Sequence, residues 1–478
     1  MATSIKKNFS WNLLLTVSSY IFPFITYPYT SRVMGVENIG ICNYVDSIIN
    51  YFVLFSALGI GAFGVREIAR CKDDIKKRSE VFSNLLIFNM LLTLISVLVL
   101  LFCTFYIDYF HQYKDFIFIG ILKLVFEPLC INWFFQGIQE FRYITIRSIV
   151  FRVLSIVLLF ALVHTKEDVL WYYSLSVITS LLCAVCNIIY SRHFVYFTLR
   201  NYSPFLYLTP ILTFGYYMIL TSLYTTFNTF FLGSTSGNVE VGYFATACKL
   251  NTIIMSAFTA LTTVMVPKVA EMLNDGKKKE LQIMADKIFS VLTSIALPII
   301  IICIFCAPHI IFILSGPGYE GAVPAFRIVI CTILIIGLEQ IVIRQFLMAS
   351  KSNKNIFMIS TTGAIVGLTL NILLTPRLCA IGSALSWLSS ELSVLIVGLI
   401  LLRKTIGIIF SIKSFAYDIL YSILYIIVLI PIYWYVDNIW VCCILSFIGV
   451  FFVFVAINIY FRPNQTIISL FMQLGKHL

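Results

Sequence analysis

Charged residues are scarce in this 478-residue chain. Asp, Glu, Lys and Arg together make up 12% of it, whereas hydrophobic residues make up 60%. Because soluble globular domains contain about 25% charged residues, this composition excludes an ordinary soluble protein. Histidine is rare as well, with five residues, and the sequence has no glycine-rich phosphate loop and no nucleophile elbow. These absences predict a protein that is not an enzyme and that has no resident cofactor.

The 13 cysteines do not change this prediction. The pairs Cys183/Cys186 and Cys303/Cys306 have the CxxC spacing of metal and redox sites. Both pairs lie within apolar runs that have no second pair of ligands nearby, so packing is the better interpretation and no metal site is predicted.

Apolar runs of about 20 residues recur along the chain, and each is long enough to cross roughly 30 Å of hydrocarbon. Their backbone should be helical, since lipid offers no hydrogen-bond partners. The first run is too long for the core of a signal peptide, and we expect an uncleaved span. The sequence thus predicts an all-α membrane protein with about 14 transmembrane helices, whose approximate cores are 11–30, 39–64, 81–106, 115–137, 144–163, 169–190, 205–232, 239–266, 288–312, 323–349, 356–375, 379–402, 415–435 and 439–461.

Basic residues are distributed unevenly between alternate loops. They are concentrated in segments such as 66–80 and 267–287, whereas the opposite set of loops contains only Arg32, Lys114, Lys166 and Arg377. Basic loops stay on the cytoplasmic side of a membrane. Both termini of this multi-pass membrane protein are therefore predicted to be cytoplasmic.

A weak internal repeat relates the two halves of the chain. The segment VENIGICNYVDSI (36–48) resembles VEVGYFATACKLN (239–251), and each is followed by a long basic loop. A repeat of six spans predicts two six-helix lobes in parallel orientation around a central cavity. The predicted divisions are an N-lobe at 1–200 (spans 1–6), a C-lobe at 201–412 (spans 7–12) and a C-terminal extension at 413–478 (spans 13 and 14).

Ionisable residues inside spans are costly and mark candidate sites, although structural ion pairs and snorkelling side chains are the alternative. Lys123 and Glu127 have the i,i+4 spacing of a local ion pair. Glu339 is the repeat equivalent of Glu127 but has isoleucine at the position of that lysine. Lys249 and Asp46 occupy equivalent repeat positions once one gap is allowed, and they are candidates for binding an anion and a cation or proton, respectively. The ion-coupling candidates are Asp46, Glu127, Glu339 and Glu391, and Lys249, Lys123 and Arg344 are substrate-binding candidates.

Four stretches together resemble a known family: SRVMGVENIG, GIGAFGVREIAR, NWFFQGIQEFRYITIRS and TPRLCAIGSALSWLSSELSVL. They are similar to the polysaccharide-biosynthesis flippases, the Wzx-type O-antigen and capsule exporters of the multidrug/oligosaccharidyl-lipid/polysaccharide superfamily. The resemblance covers spans 1–12.

This resemblance implies a flippase that moves undecaprenyl-pyrophosphate-linked oligosaccharide from the inner to the outer leaflet by ion-coupled alternating access. H⁺ or Na⁺ would be the coupling ion, and the protein would lie in the bacterial inner membrane. Membrane lipids and polysaccharide polymerase or assembly proteins would be its partners, and the chain would act as a monomer. By position, Arg32, Arg66 and Lys249 would face the anionic pyrophosphate. Contact with solvent or lipid phosphate is the plainer interpretation of Arg32 and Arg66.

Two other functions are compatible with the sequence. A cation-coupled multidrug antiporter of the same superfamily should favour acidic over basic groups in its cavity, and Lys249 and Lys123 speak against it. A membrane polysaccharide polymerase or ligase usually needs a large outer loop, and none is predicted.

Overall fold

A computed structural model describes residues 2–71, 74–198, 207–275, 278–347 and 353–461. These residues form helices and connecting turns, and no strand occurs among them. By internal contacts the chain divides into two compact units, residues 1–242 and 243–478. The predicted boundaries at 200 and 412, and the predicted central cavity between lobes, stay predictions.

The first unit contains nine helices among its described residues, and a tenth begins within it. They are α1 (Ala2–Ala57), α2 (Ile60–Arg70), α3 (Ile75–Tyr106), α4 (Asp108–His111), α5 (Lys114–Phe126), α6 (Asn132–Gly137), α7 (Phe141–Leu162), α8 (Val169–Ser191), α9 (Leu208–Ser236) and α10 (Asn238–Asn274). Short 3₁₀ helices cover Glu127–Cys130 and Lys166–Asp168.

The second unit continues with seven further helices in its described part. They are α11 (Lys278–Phe305), α12 (Ala307–Ser315), α13 (Ala322–Val329), α14 (Thr332–Glu339), α15 (Asn353–Thr405), α16 (Ile412–Tyr435) and α17 (Ile439–Ala456). Two π-helical segments cover Gln340–Leu347 and Ile457–Phe461.

Ten helical segments of the described residues are long and apolar enough to cross a membrane. Two of them, Ser10–Arg70 and Lys354–Thr405, contain 61 and 52 residues, enough for two crossings each. The helix is interrupted inside both, at Gly35 and at Cys379, where the backbone leaves helical geometry. The predicted spans 7 and 8 correspond to α9 and α10. The prediction of an all-α membrane protein is confirmed.

Helix α3 shows that these helices fold with lipid as their solvent. Its buried side chains include Asn84, Asn89 and Thr93, whereas Leu98 and Phe102 on the outside are 57% and 60% exposed. In water the apolar face would turn inward. The reverse arrangement is stable because hydrocarbon solvates leucine and phenylalanine while polar groups find partners inside the protein.

Two glycines allow a close backbone crossing within the first unit. A Cβ atom at Gly40 would lie 1.8 Å from the carbonyl oxygen of Asn238, and one at Gly242 would lie 2.2 Å from that of Val36. Both distances are far below van der Waals contact, so only glycine fits at either position. The crossing joins the N-terminal part of α10 to α1, the helix that carries Asp46.

Candidate functional site

Asp46 and Lys123 form an ion pair inside the first unit. Lys123 Nζ lies 2.6 Å from Asp46 Oδ1, with α1 supplying the carboxylate and α5 the ammonium group. The lysine side chain is 17% exposed and that of the aspartate 37%. The spacing predicted that Lys123 would pair with Glu127. Its ion pair is with Asp46, and it also interacts electrostatically with Glu127. Glu127 continues the helical backbone of α5, with its N–H bonded to the carbonyl oxygen of Lys123. What the spacing could not show is the carboxylate that α1 brings to within 2.6 Å of Lys123 Nζ.

Glu127 begins an interruption of the fourth predicted span. The 3₁₀ turn Glu127–Cys130 has proline in its first turn, and Ile131 follows with φ of 32° before α6 begins at Asn132. Positive φ is rare for a β-branched residue and costs on the order of 1–3 kcal/mol. Surrounding contacts must therefore hold this conformation.

A buried polar network supplies those contacts. The amide of Asn187 donates a hydrogen bond to the carbonyl oxygen of Cys130, which the interrupted helix leaves free. Arg147, only 8% exposed, donates to Asn187 Oδ1 and, over 2.9 Å, to Asn132 Oδ1. Tyr143 donates to the same Asn187 oxygen over 3.0 Å. Helices α7 and α8 thus fix both ends of the interruption.

A cavity of about 260 Å³ lies beside this interruption, within the first unit. Its polar lining residues are Ser56, Asn89, Glu127, Asn132, Trp133 and Gln136. Glu127 was a predicted candidate, whereas Asn89, Asn132, Trp133 and Gln136 were not. The available signal was Pro128 inside an apolar run, which predicted a bend but could not show which polar residues of other helices face it.

Two carboxyl groups interact inside the second unit. Glu391 on α15 is 5% exposed and accepts a hydrogen bond of 2.8 Å from Trp387 Nε1. Glu339, at the end of α14, interacts directly with Glu391. Glu339 Oε2 is buried with no hydrogen-bond partner among the described residues. The sequence placed both residues among the ion-coupling candidates, and the structure brings them together.

Arg344 also interacts electrostatically with Glu339, but its own side chain is exposed. It lies on the π-helical segment Gln340–Leu347, which begins directly after Glu339. Single π-helical turns within α-helices occur frequently at functional sites.

An apolar cavity of about 510 Å³ lies beside α14, within the second unit. Its lining includes the apolar side chains of Leu334, Leu338, Leu395 and Phe410 and one charged residue, Arg403. Neither the cavity nor the role of Arg403 was predicted. An alkyl chain fits such a lining, with room for an anionic group at the arginine.

The remaining predicted substrate-binding residues are Lys249, Arg32 and Arg66. Lys249 and Arg32 have exposed side chains, and Arg32 donates to the carbonyl oxygen of Pro28 over 3.0 Å. Arg66 contacts Glu67 over 3.3 Å and lies over the rings of Phe63 and Phe214. Their assignment to substrate binding stays a prediction.

The fold is shared with solved membrane transporters. A structure of the lipid II flippase MurJ in an inward closed conformation superimposes with a TM-score of 0.76, at 16% identity, over 94% of this chain and 98% of that one. An outward-facing multidrug resistance MATE transporter of the MOP superfamily gives a TM-score of 0.57 at 15% identity, over 84% and 95% of the two chains. The chain therefore has the all-α fold of this class of multi-pass membrane proteins.

The sequence comparisons define the family. The family model described as polysaccharide biosynthesis protein matches residues 5–273, and the MatE model matches residues 215–373. The chain belongs to the polysaccharide biosynthesis protein family. The family resemblance found in its sequence is therefore confirmed.

Two curated relatives cover most of the chain. One from Escherichia coli (strain K12), named "Putative O-antigen transporter", is 24% identical over 395 residues, which are 81% of this chain and 94% of the relative. Another with the same name, from Shigella dysenteriae, is 23% identical over 82% of this chain and 98% of the relative.

Proposed function

We propose that this protein is a flippase that moves lipid-linked oligosaccharide, carried on undecaprenyl pyrophosphate, from the inner to the outer leaflet of a bacterial inner membrane for O-antigen or capsule synthesis. The observation that carries the proposal is the family match over residues 5–273. The near full-length similarity to proteins named as O-antigen transporters supports it. The basic loop pattern supports cytoplasmic termini.

The apolar cavity of the second unit supports a lipid-linked substrate. It offers about 510 Å³ of mainly apolar space and one guanidinium group, that of Arg403. Burial of apolar surface is favourable for a prenyl chain, and a guanidinium group binds phosphate oxygens in bidentate fashion. Arg403 thus joins Lys249, Arg32, Arg66 and Arg344 as a proposed phosphate contact. Lys123 is a weaker one, because Asp46 already neutralises it.

The Glu339–Glu391 pair supports coupling to H⁺ or Na⁺. Two carboxyl groups in contact inside a membrane repel each other when both are charged, and a shared proton or a bound cation removes that repulsion. Binding of the ion would bring α14 and α15 together, and its release would separate them. This is the two-state element that alternating access needs.

A cation-coupled multidrug antiporter is the second candidate function. The MatE model over residues 215–373 and the carboxyl pair favour it. The two candidates differ in their cargo, so a transport experiment separates them.

The experiment reconstitutes the protein in liposomes that contain a fluorescent undecaprenyl-pyrophosphate-linked oligosaccharide in one leaflet. Movement to the other leaflet supports the flippase. Expulsion of a lipophilic cation such as ethidium, with no movement of the glycolipid, would instead establish the antiporter.

A complementation assay in cells tests Lys249. Lys249→Ala should reduce surface polysaccharide, and unchanged export in both Lys249→Ala and Lys249→Glu would remove Lys249 from the anion site.

A further inference from the structure

Two side chains that line the cavity of the first unit carry buried polar atoms without partners among the described residues. Asn89 is 5% exposed and Trp133 is 8% exposed, and both line the cavity. Asn89 Oδ1 and Trp133 Nε1 make no hydrogen bond within the described part of the chain. Since a buried polar group without a partner is costly, these two lining side chains favour a polar occupant in the cavity.

The chemistry of the lining selects among possible occupants. Trp133 offers a donor, Glu127 offers an acceptor, and the amides of Asn89, Asn132 and Gln136 offer both. A metal cation would be opposed by the indole N–H group, and an anion by the Glu127 carboxylate. A hydroxyl group both donates and accepts, so a neutral ligand with several hydroxyl groups satisfies this lining.

The size and walls of the cavity agree with one sugar ring. About 260 Å³ equals the liquid volume of roughly eight or nine water molecules. Apolar side chains of Ile60, Pro128 and Ile131 complete the lining. They would contact the C–H face of a pyranose while the polar groups reach its hydroxyls.

The backbone is shaped for this cavity from two sides. The Glu127–Ile131 interruption contributes part of the cavity wall. Residues next to the break between α1 and α2, where Leu58 has φ of 31°, contribute another part. Irregular backbone at membrane depth is tolerated where it lines a cavity. Two such breaks at one polar cavity are typical of a ligand site in a transporter.

We propose that this cavity binds a sugar ring of the glycan that the protein transports, through Asn89, Glu127, Trp133 and Gln136. The inference rests on the proposed flippase function, because it assigns the glycan part of that substrate to the first unit. Arg147 and Asn187 act as positioning residues, since they hold Asn132 and the interrupted helix in place.

The test observes Trp133 directly. The protein is labelled with 5-fluorotryptophan, reconstituted in lipid nanodiscs that contain no sugar detergent, and titrated with free glucose, galactose or N-acetylglucosamine. The chain has six tryptophans, and the fluorine resonance that Trp133→Phe removes is that of Trp133. At least one sugar should shift it, with a Kd of about 1–10 mM for a ring without its lipid anchor. The resonance of Trp171, which is 54% exposed, should stay unchanged.

Two variants define the site. Asn89→Leu and Glu127→Gln should each weaken the sugar-dependent shift by about tenfold, equal to 1.4 kcal/mol. Glu37→Gln, on the exposed surface of the same unit, is the matched control and should leave it unchanged. Size-exclusion elution of each variant verifies folding.

The outcomes separate this inference from the proposed function. If no sugar moves the Trp133 resonance while the wild-type protein flips the glycolipid, the sugar site is wrong and the flippase stands. A shift caused by sodium chloride rather than by sugar would also overturn the site, in favour of a cation. If a sugar shifts Trp133 but no glycolipid moves in liposomes, the cavity assignment holds and the flippase function fails.

Discussion

Both units carry acidic residues inside their membrane spans, but the partners of these residues differ. In the first unit Asp46 lies 2.6 Å from the ammonium group of Lys123, an opposite charge. In the second unit Glu391 contacts Trp387 and a second carboxyl group, that of Glu339. An opposite-charge pair neutralises itself, whereas two carboxyl groups need a proton or a cation from outside. We infer that the first pair stabilises its unit and that the second is the one sensitive to ions.

Reversal of one charge in the first unit should have the largest effect. Asp46→Lys places two ammonium groups together and should lower the free energy of unfolding by about 4 kcal/mol, because neither charge is then compensated. Thermal unfolding in nanodiscs measures the loss. The double variant Asp46→Lys/Lys123→Asp restores an opposite-charge pair and should recover most of the stability. No recovery would show that the pair does not act through its charges.

Removal of the Lys123 ammonium group should make the first unit sensitive to added cations, as we infer for the second unit. Lys123→Met keeps most of the side-chain volume but leaves Asp46 facing Glu127, so the free energy of unfolding should fall by about 2 kcal/mol. Added cation should not stabilise the wild-type unit, whereas the variant should be stabilised by sodium ions. A thermal unfolding series in sodium against choline chloride measures this. Equal stability of the variant in both salts would contradict the comparison.

Neutralisation in the second unit should have the opposite sign. Glu339→Gln replaces a carboxyl group with an amide that donates to Glu391, so the free energy of unfolding should rise by about 1–2 kcal/mol. Glycolipid movement in liposomes should continue but should no longer depend on a proton or sodium gradient. Glu320→Gln, an exposed residue of the same unit, is the control. Retained gradient dependence in Glu339→Gln would remove this residue from the coupling site.

The sequence was sufficient to predict the fold class, because apolar runs of span length have few stable alternatives in lipid. It also identified Asp46, Lys123, Glu127, Glu339 and Glu391 as unusual, since charge inside a span is rare. Their partners could not be predicted in the same way. The i,i+4 rule describes contacts within one helix, whereas the ion-pair partner of Lys123 comes from another helix, α1.

The polar cavity was hidden from sequence reasoning for a related reason. Asn89, Asn132, Trp133 and Gln136 are uncharged, so the rarity of charge inside a span does not point to them. They become a site only where α3 packs against the interrupted span. Asn89 and Trp133 lie far apart along the chain, and Asn132 is held by Arg147 of another helix. Packing, rather than a local sequence pattern, brings these residues together.

The smallest expected effect concerns how Glu391 is held. Trp387→Phe deletes the indole N–H group that donates to Glu391 Oε1 over 2.8 Å, and it should lower the free energy of unfolding by about 1 kcal/mol. The loss is modest because the contact of Glu391 with Glu339 stays in place. Trp434→Phe is the control, since Trp434 is 79% exposed and should tolerate the change. If the indole only fills space, the two variants will unfold at the same temperature with unchanged ion dependence. If it orients the carboxyl pair, Trp387→Phe alone will require a higher sodium or proton concentration for half-maximal transport.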